Sequence, residues 1–121
     1  MRAIICGGRD YVLTDADRAW LDELRNQLPI TEVVCGCARG ADTGGKEWAL
    51  SRGVPVKDLP ADWSGLGRKA GPIRNSAMAE YAGACIAFPG GRGTADMLAK
   101  AEAKGLVVVR RPKNSSPTPK S

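Results

Sequence analysis

Ala84-Cys85-Ile86-Ala87-Phe88-Pro89-Gly90-Gly91-Arg92-Gly93-Thr94 decides the fold class: an apolar run passes through a proline into a glycine-rich turn, and a helical pattern continues from Thr94 to Lys104. A short continuous apolar run bounded in this way suits a strand buried on both faces. Gly90, Gly91 and Gly93 between strand and helix let bare backbone N–H groups approach an anion at the positive helix end. The competing reading is a left-handed turn whose glycines serve sterics alone. Thr94 either caps the helix or contacts a phosphate.

The alternation extends outward from this stretch. Strand-like runs occur at Ala3 to Cys6, Glu32 to Cys35, Val54 to Leu59, Ala84 to Phe88 and Leu106 to Val109, each short and rich in small or β-branched residues. Between them lie helical patterns at Asp15 to Leu28, Ala41 to Arg52, Pro72 to Ala82 and Thr94 to Lys104. Thr14 is placed to cap the first helix, whose apolar face is read as Ala16, Ala19, Trp20, Leu24 and Leu28. Gly53 and Gly105 each stop a helix directly before a strand, as a left-handed terminal residue does. The pattern predicts an α/β fold, a parallel five-stranded sheet in order 3-2-1-4-5 with helices on both faces and right-handed crossovers.

In such sheets ligands bind beyond the carboxyl ends of the strands, where the strand order reverses. Gly7-Gly8-Arg9-Asp10 and the Pro89 to Thr94 loop should therefore flank one crevice. A second loop, Gly36-Cys37-Ala38-Arg39-Gly40-Ala41-Asp42, also joins strand to helix. Asp42 there either caps the helix or hydrogen-bonds a ribose or a neighbouring amide. A longer loop from Pro60 to Asn75 sets Asp62, Trp63, Arg68, Lys69 and Arg74 among glycines. That mixture suits stacking of a base and charge-assisted contact with phosphate or carboxylate, whereas a solvated loop would have little use for Trp63.

Composition narrows the function classes. The 121 residues carry a net charge of +5, yet residues 1–109 hold 14 Lys/Arg against 13 Asp/Glu. The excess thus falls on Arg110, Arg111, Lys113 and Lys120, in a Pro/Ser-rich end. Residues 1–111 read as one domain, and Pro112 to Ser121 as a disordered basic tail. No apolar run approaches the roughly 20 residues of a membrane span, and no signal-peptide pattern opens the chain, so a cytoplasmic location is expected. The chain has no histidine, which excludes histidine-based catalysis. The four cysteines read as small buried residues: Cys6 and Cys35 end strands while Cys85 starts one, so they do not converge on one ion, and no metal or cofactor is assigned.

A family resemblance follows from these loops. Val34-Cys35-Gly36-Cys37-Ala38-Arg39-Gly40-Ala41-Asp42 resembles the signature of the Smf/DprA proteins. Arg74-Asn75-Ser76-Ala77-Met78 with Pro89 to Thr94 resembles the LOG phosphoribohydrolases. Together with Gly8-Arg9, Ala61-Asp62-Trp63 and Ala70-Gly71-Pro72-Ile73-Arg74-Asn75, the set is most similar to the small YspA-like members of the SLOG superfamily. The resemblance implies a Rossmann-like fold that binds nucleotides or their derivatives, and association into homo-oligomers through helices beside the site. LOG enzymes cleave the N-glycosidic bond of nucleoside monophosphates with an arginine, matched here by Arg74, and with a glutamate whose position is Met97. Asp96 is one residue away, a rotation of about 100° that should turn its carboxylate off the crevice. Asp62, Asp42 and Asp10 are the other carboxylates available to replace the glutamate.

The leading expectation is a ligand-binding or sensing module for a nucleotide-like small molecule. Its site is assigned to Gly7, Gly8, Arg9, Gly36, Arg39, Gly40, Asp42, Trp63, Arg68, Lys69, Arg74, Asn75, Pro89, Gly90, Gly91, Arg92, Gly93 and Thr94. The alternative is a nucleotide N-glycosidase using Arg74, Asp96 and Asp62. A DprA-like single-strand DNA binder is the third reading, disfavoured by a nearly neutral body with few aromatic residues.

Overall fold

The computed structural model describes residues 1–112, so the expectation for the tail, from Lys113 onward, lies outside the described residues. Five parallel strands, β1 (Arg2–Cys6), β2 (Glu32–Cys35), β3 (Val56–Asp58), β4 (Ala84–Ala87) and β5 (Val107–Arg110), form one sheet in the order β3-β2-β1-β4-β5. The fold is α/β, with the strand order the alternation predicted. Ile4 is the register partner of both Val34 and Cys85, so the central strand is covered on both sides, and all four residues of β4 are buried.

The helices are α1 (Asp15–Gln27), α2 (Ala41–Ser51), α3 (Trp63–Leu66), α4 (Ala70–Tyr81) and α5 (Arg92–Ala103), with a 3₁₀ turn at Gly67–Lys69. Side chains alternate across the sheet and build two cores. Ala3, Ile5, Val33 and Ile86 pack with Leu21 of α1 and Trp48 of α2 on one face. Ile4, Val34, Cys85 and Ala87 pack with Met78 of α4 and Met97 of α5 on the other. Gly53 and Gly105 adopt φ of +72° and +76°, the left-handed helix stops anticipated from the sequence.

Local differences from the sequence reading have physical causes. On α1, Ala16 and Ala19 face solvent while Leu21 and Asp17 are buried. Asp17 buries because it completes a capping box: Asp17 N–H donates to Thr14 Oγ1 and Thr14 N–H returns a bond to Asp17 Oδ2. Its remaining capacity takes Tyr11 Oη–H at 2.9 Å and Arg111 Nε–H at 2.9 Å. Arg111 is thereby part of the domain's structure, and Arg110 pairs with Glu102. Half of the four charges assigned to a basic end are therefore structural. The third strand is shorter than Val54 to Leu59 because Val54 turns into the core after the helix stop. Helix α4 starts at Ala70, two residues before Pro72. A proline in the first turn costs no intrahelical bond, since the first four N–H groups of a helix have no partner in it.

Candidate functional site

A cavity of about 1010 Å³ opens at the carboxyl ends of the strands, bounded by the loops after β1, β2 and β4 and by the first turns of α4 and α5. The loops are fastened to one another through backbone. Gly8 N–H donates to Pro89 O at 2.8 Å and Ala41 N–H to Gly8 O at 3.1 Å. Gly40 has φ +79°, and a Cβ there would stand 2.3 Å from Gly8 O and 2.4 Å from Arg9 O. Only glycine lets the α2 loop lie against the β1 loop in this way.

Most of the residues assigned from sequence meet here. Gly7, Gly8, Arg9, Gly36, Arg39, Asp42, Trp63, Arg74, Asn75, Gly91, Arg92, Gly93 and Thr94 all line the cavity. Gly40, Pro89 and Gly90 do not; they form the fastening behind the wall. Arg68 and Lys69 are exposed on the 3₁₀ turn away from the lining, and Asp62 caps α3 by accepting from Gly65 N–H at 3.0 Å. Asp10 is exposed and pairs with Arg39 at 3.3 Å. The site assigned from sequence left out Cys6, Cys37, Ala38, Pro60, Ala61, Gly71, Pro72 and Met78, which also line the cavity; small or apolar side chains carry no signal of a polar site.

Arg74 is half-buried at the cavity floor. It donates to the Gly36 carbonyl, and its Nε–H donates to Asn75 Oδ1 at 3.0 Å. A Cβ at Gly36 would stand 2.7 Å from Arg74 Nη1 and 2.9 Å from Asp42 Oδ2, so Gly36 leaves room for this guanidinium and carboxylate to share the floor. Among the described residues Arg74 forms no ion pair, and Glu80 pairs with Lys104. Asp42 lies in the first turn of α2, but Gly40 is the cap residue, and the Asp42 carboxylate accepts from Ala38 N–H at 3.2 Å. Burial pushes its carboxyl above the ordinary range, against the pull of Ala38 N–H and Arg74.

Asp96 lines the cavity, contrary to the rotation argument, as does Met97 at the position of the expected glutamate. Burial raises the Asp96 carboxyl, but Lys100 at 2.7 Å and Asn75 Nδ2–H at 2.9 Å outweigh it and hold it ionised below its usual range. Helix α5 has no side-chain cap at Gly91, and neither has α2 at Gly40. Thr94, the third residue of α5, is buried and is not the cap. The start of α5, Gly91 to Thr94, thus lines the cavity without a side-chain cap, and Arg9, Arg39 and Arg74 line it together with Arg92. Trp63 also lines the cavity, half-exposed, with the Arg9 guanidinium 5.9 Å from its ring centroid.

The sequence pattern of the YspA, cpYpsA-related SLOG family, YAcAr, matches residues 1–65. The chain belongs to that family. The Gene 61 protein of Mycobacterium phage D29 is similar to this SLOG chain, 38% identical over 119 residues that cover 89% of the chain and 94% of the phage protein. No solved structure matches it. The family match takes in the β1 and α2 loops that bind the cavity together, and the phage relative extends the likeness across the SLOG domain.

Proposed function

We propose that the cavity binds a nucleotide or nucleotide-derived small molecule, as a ligand-binding or sensing module. The observation that carries this reading is the uncapped N-terminus of α5 opening on a cavity with four arginines. Free N–H groups at the positive end of a helix dipole attract a phosphate, and guanidinium groups hold it by paired hydrogen bonds. Trp63 offers a face for a base, and Asp42 an acceptor for ribose hydroxyls. A cavity of this size holds a ligand of nucleotide dimensions. The described residues include no helix long and apolar enough to cross a membrane. Four free cysteines suit a reducing compartment, which supports the expected cytoplasmic location.

Calorimetry with nucleoside mono- and diphosphates tests the proposal. Arg74→Lys should weaken binding by about 1–3 kcal/mol, because an ammonium cannot reproduce the guanidinium fork. Undiminished affinity in Arg74→Ala would remove Arg74 from the site. If the wild type binds no nucleotide at all, the proposal falls.

A second reading, hydrolysis of the N-glycosidic bond, is favoured by Asp42 beside Arg74. A carboxylate near the anomeric carbon stabilises the cationic sugar as the C–N bond breaks; water supplies the new C–O bond, and the base leaves with a proton. Release of free base from a nucleoside monophosphate, lost in Asp42→Asn, would support turnover. Unaltered nucleotide after prolonged incubation would leave binding alone.

A further inference from the structure

We propose that Cys35, Cys37 and Asp58 form a binding site for a thiophilic divalent cation of the zinc type, at the edge of the cavity and independent of nucleotide binding. Cys35 ends β2 and Asp58 ends β3, and the two are register partners, so their side chains leave the same face of the sheet side by side. Cys37 follows two residues later with φ +65°, the one non-glycine positive φ among the described residues. That conformation costs roughly 1–2 kcal/mol for a residue with a Cβ. It folds Cys37 back over β2, where Cys37 N–H meets Cys35 Sγ at 3.3 Å and Cys37 Sγ–H donates to Cys35 O at 3.6 Å.

The two sulfurs and a carboxylate oxygen of Asp58 consequently lie within 4.8 Å of one another. Around a tetrahedral ion with Zn–S of about 2.3 Å, two sulfurs stand roughly 3.8 Å apart, so the group has to close by only about 1 Å. Cys37 and Asp58 are both exposed, so the closing movement falls to them, while Cys35 is buried with its thiol on Asp42 O at 3.6 Å. The place already attracts a cation: Lys46 Nζ sits 3.2 and 3.0 Å from the two oxygens of Asp58. A metal would take over that role, expelling the two thiol protons and releasing the ammonium on its flexible stem. Two thiolates with one carboxylate select zinc, cobalt or cadmium over magnesium or calcium. Three protein ligands leave the fourth tetrahedral position to water, and of the three only Cys37 also lines the cavity. Cys6 and Cys85, 3.9 Å apart, belong to the opposite face of the sheet.

Cobalt(II) titration of the reduced full chain, followed by absorption, tests the site. One equivalent should give a thiolate-to-cobalt charge-transfer band with tetrahedral ligand-field bands, bleached by zinc. Cys37→Ser, at an exposed position, should lower the affinity by more than about tenfold, the lower bound for partners more remote than a direct ligand. Asp58→Asn should weaken binding, whereas Lys46→Ala should tighten it by removing the competing ammonium. Cys85→Ala should change nothing. The proposal is overturned by a missing thiolate band at saturating cobalt, by weaker binding in Lys46→Ala, or by a band that survives Cys37→Ser and disappears in Cys85→Ala. Nucleotide affinity measured on the same samples separates this result from the reading of the cavity.

Discussion

Asp17→Ala is expected to destabilise the domain by about 3–5 kcal/mol, the usual cost of breaking a buried ion pair from one side. Asp17 and Arg111 have side chains only 2% and 10% exposed, so removal of the carboxylate strands a guanidinium away from water. It also releases Tyr11 Oη–H and the Thr14 N–H that the capping box satisfied. Arg111 stays next to Trp20, 5.1 Å from the ring centroid, which cannot replace an anion. Urea unfolding checks the result, and a loss below about 1 kcal/mol would show that the network contributes little.

The same carboxylate predicts an acid limb. Burial raises the Asp17 carboxyl, but the bonds from Thr14, Tyr11 and Arg111 prevail, and it stays below its ordinary range. A carboxylate depressed in the folded state adds stability that is complete above its unfolded pKa, about 3.9, and is lost as pH falls through the folded value. Asp42, raised by burial, works in the opposite sense: it favours the folded state at low pH and costs stability as pH rises through its folded value. Asp17→Asn should flatten the acid limb of a melting-temperature profile, and Asp42→Asn should raise stability near neutral pH.

These residues show where the sequence is legible. Strand order, helix stops at Gly53 and Gly105 and the Thr14 cap follow from patterns spanning a few residues. Asp17 does not, because its partner Arg111 is 94 residues away and a lone Asp in a first helical turn normally faces water. The glycine loops of the cavity were legible for the same local reason. Asp96 was misjudged because the cavity wraps around the first turns of α5, so a 100° rotation still leaves a side chain on its wall. Cys37 gave no signal at all; its positive φ and its meeting with Asp58 depend on the pairing of β2 with β3.

Gly91→Val is expected to abolish nucleotide binding while the domain stays folded. Gly91 precedes α5 with φ −102°, outside the left-handed region, and a Cβ added there meets nothing within 4 Å. The cost to the fold is the loss of a favourable cap residue, on the order of 1 kcal/mol. The added branches occupy open space at the cavity wall, beside the N–H groups proposed to hold phosphate, and a tightly bound anion cannot tolerate them. Gly90 provides the contrast. A Cβ there would stand 2.1 Å from Thr94 Oγ1 and 2.7 Å from Gly8 N, so Gly90→Val should damage the loop fastening and lower the melting temperature. If Gly91→Val keeps wild-type affinity for every nucleotide that the parent binds, phosphate is not held at the α5 terminus. If it melts as early as Gly90→Val, the position is structural, and loss of binding would then say nothing for the cradle.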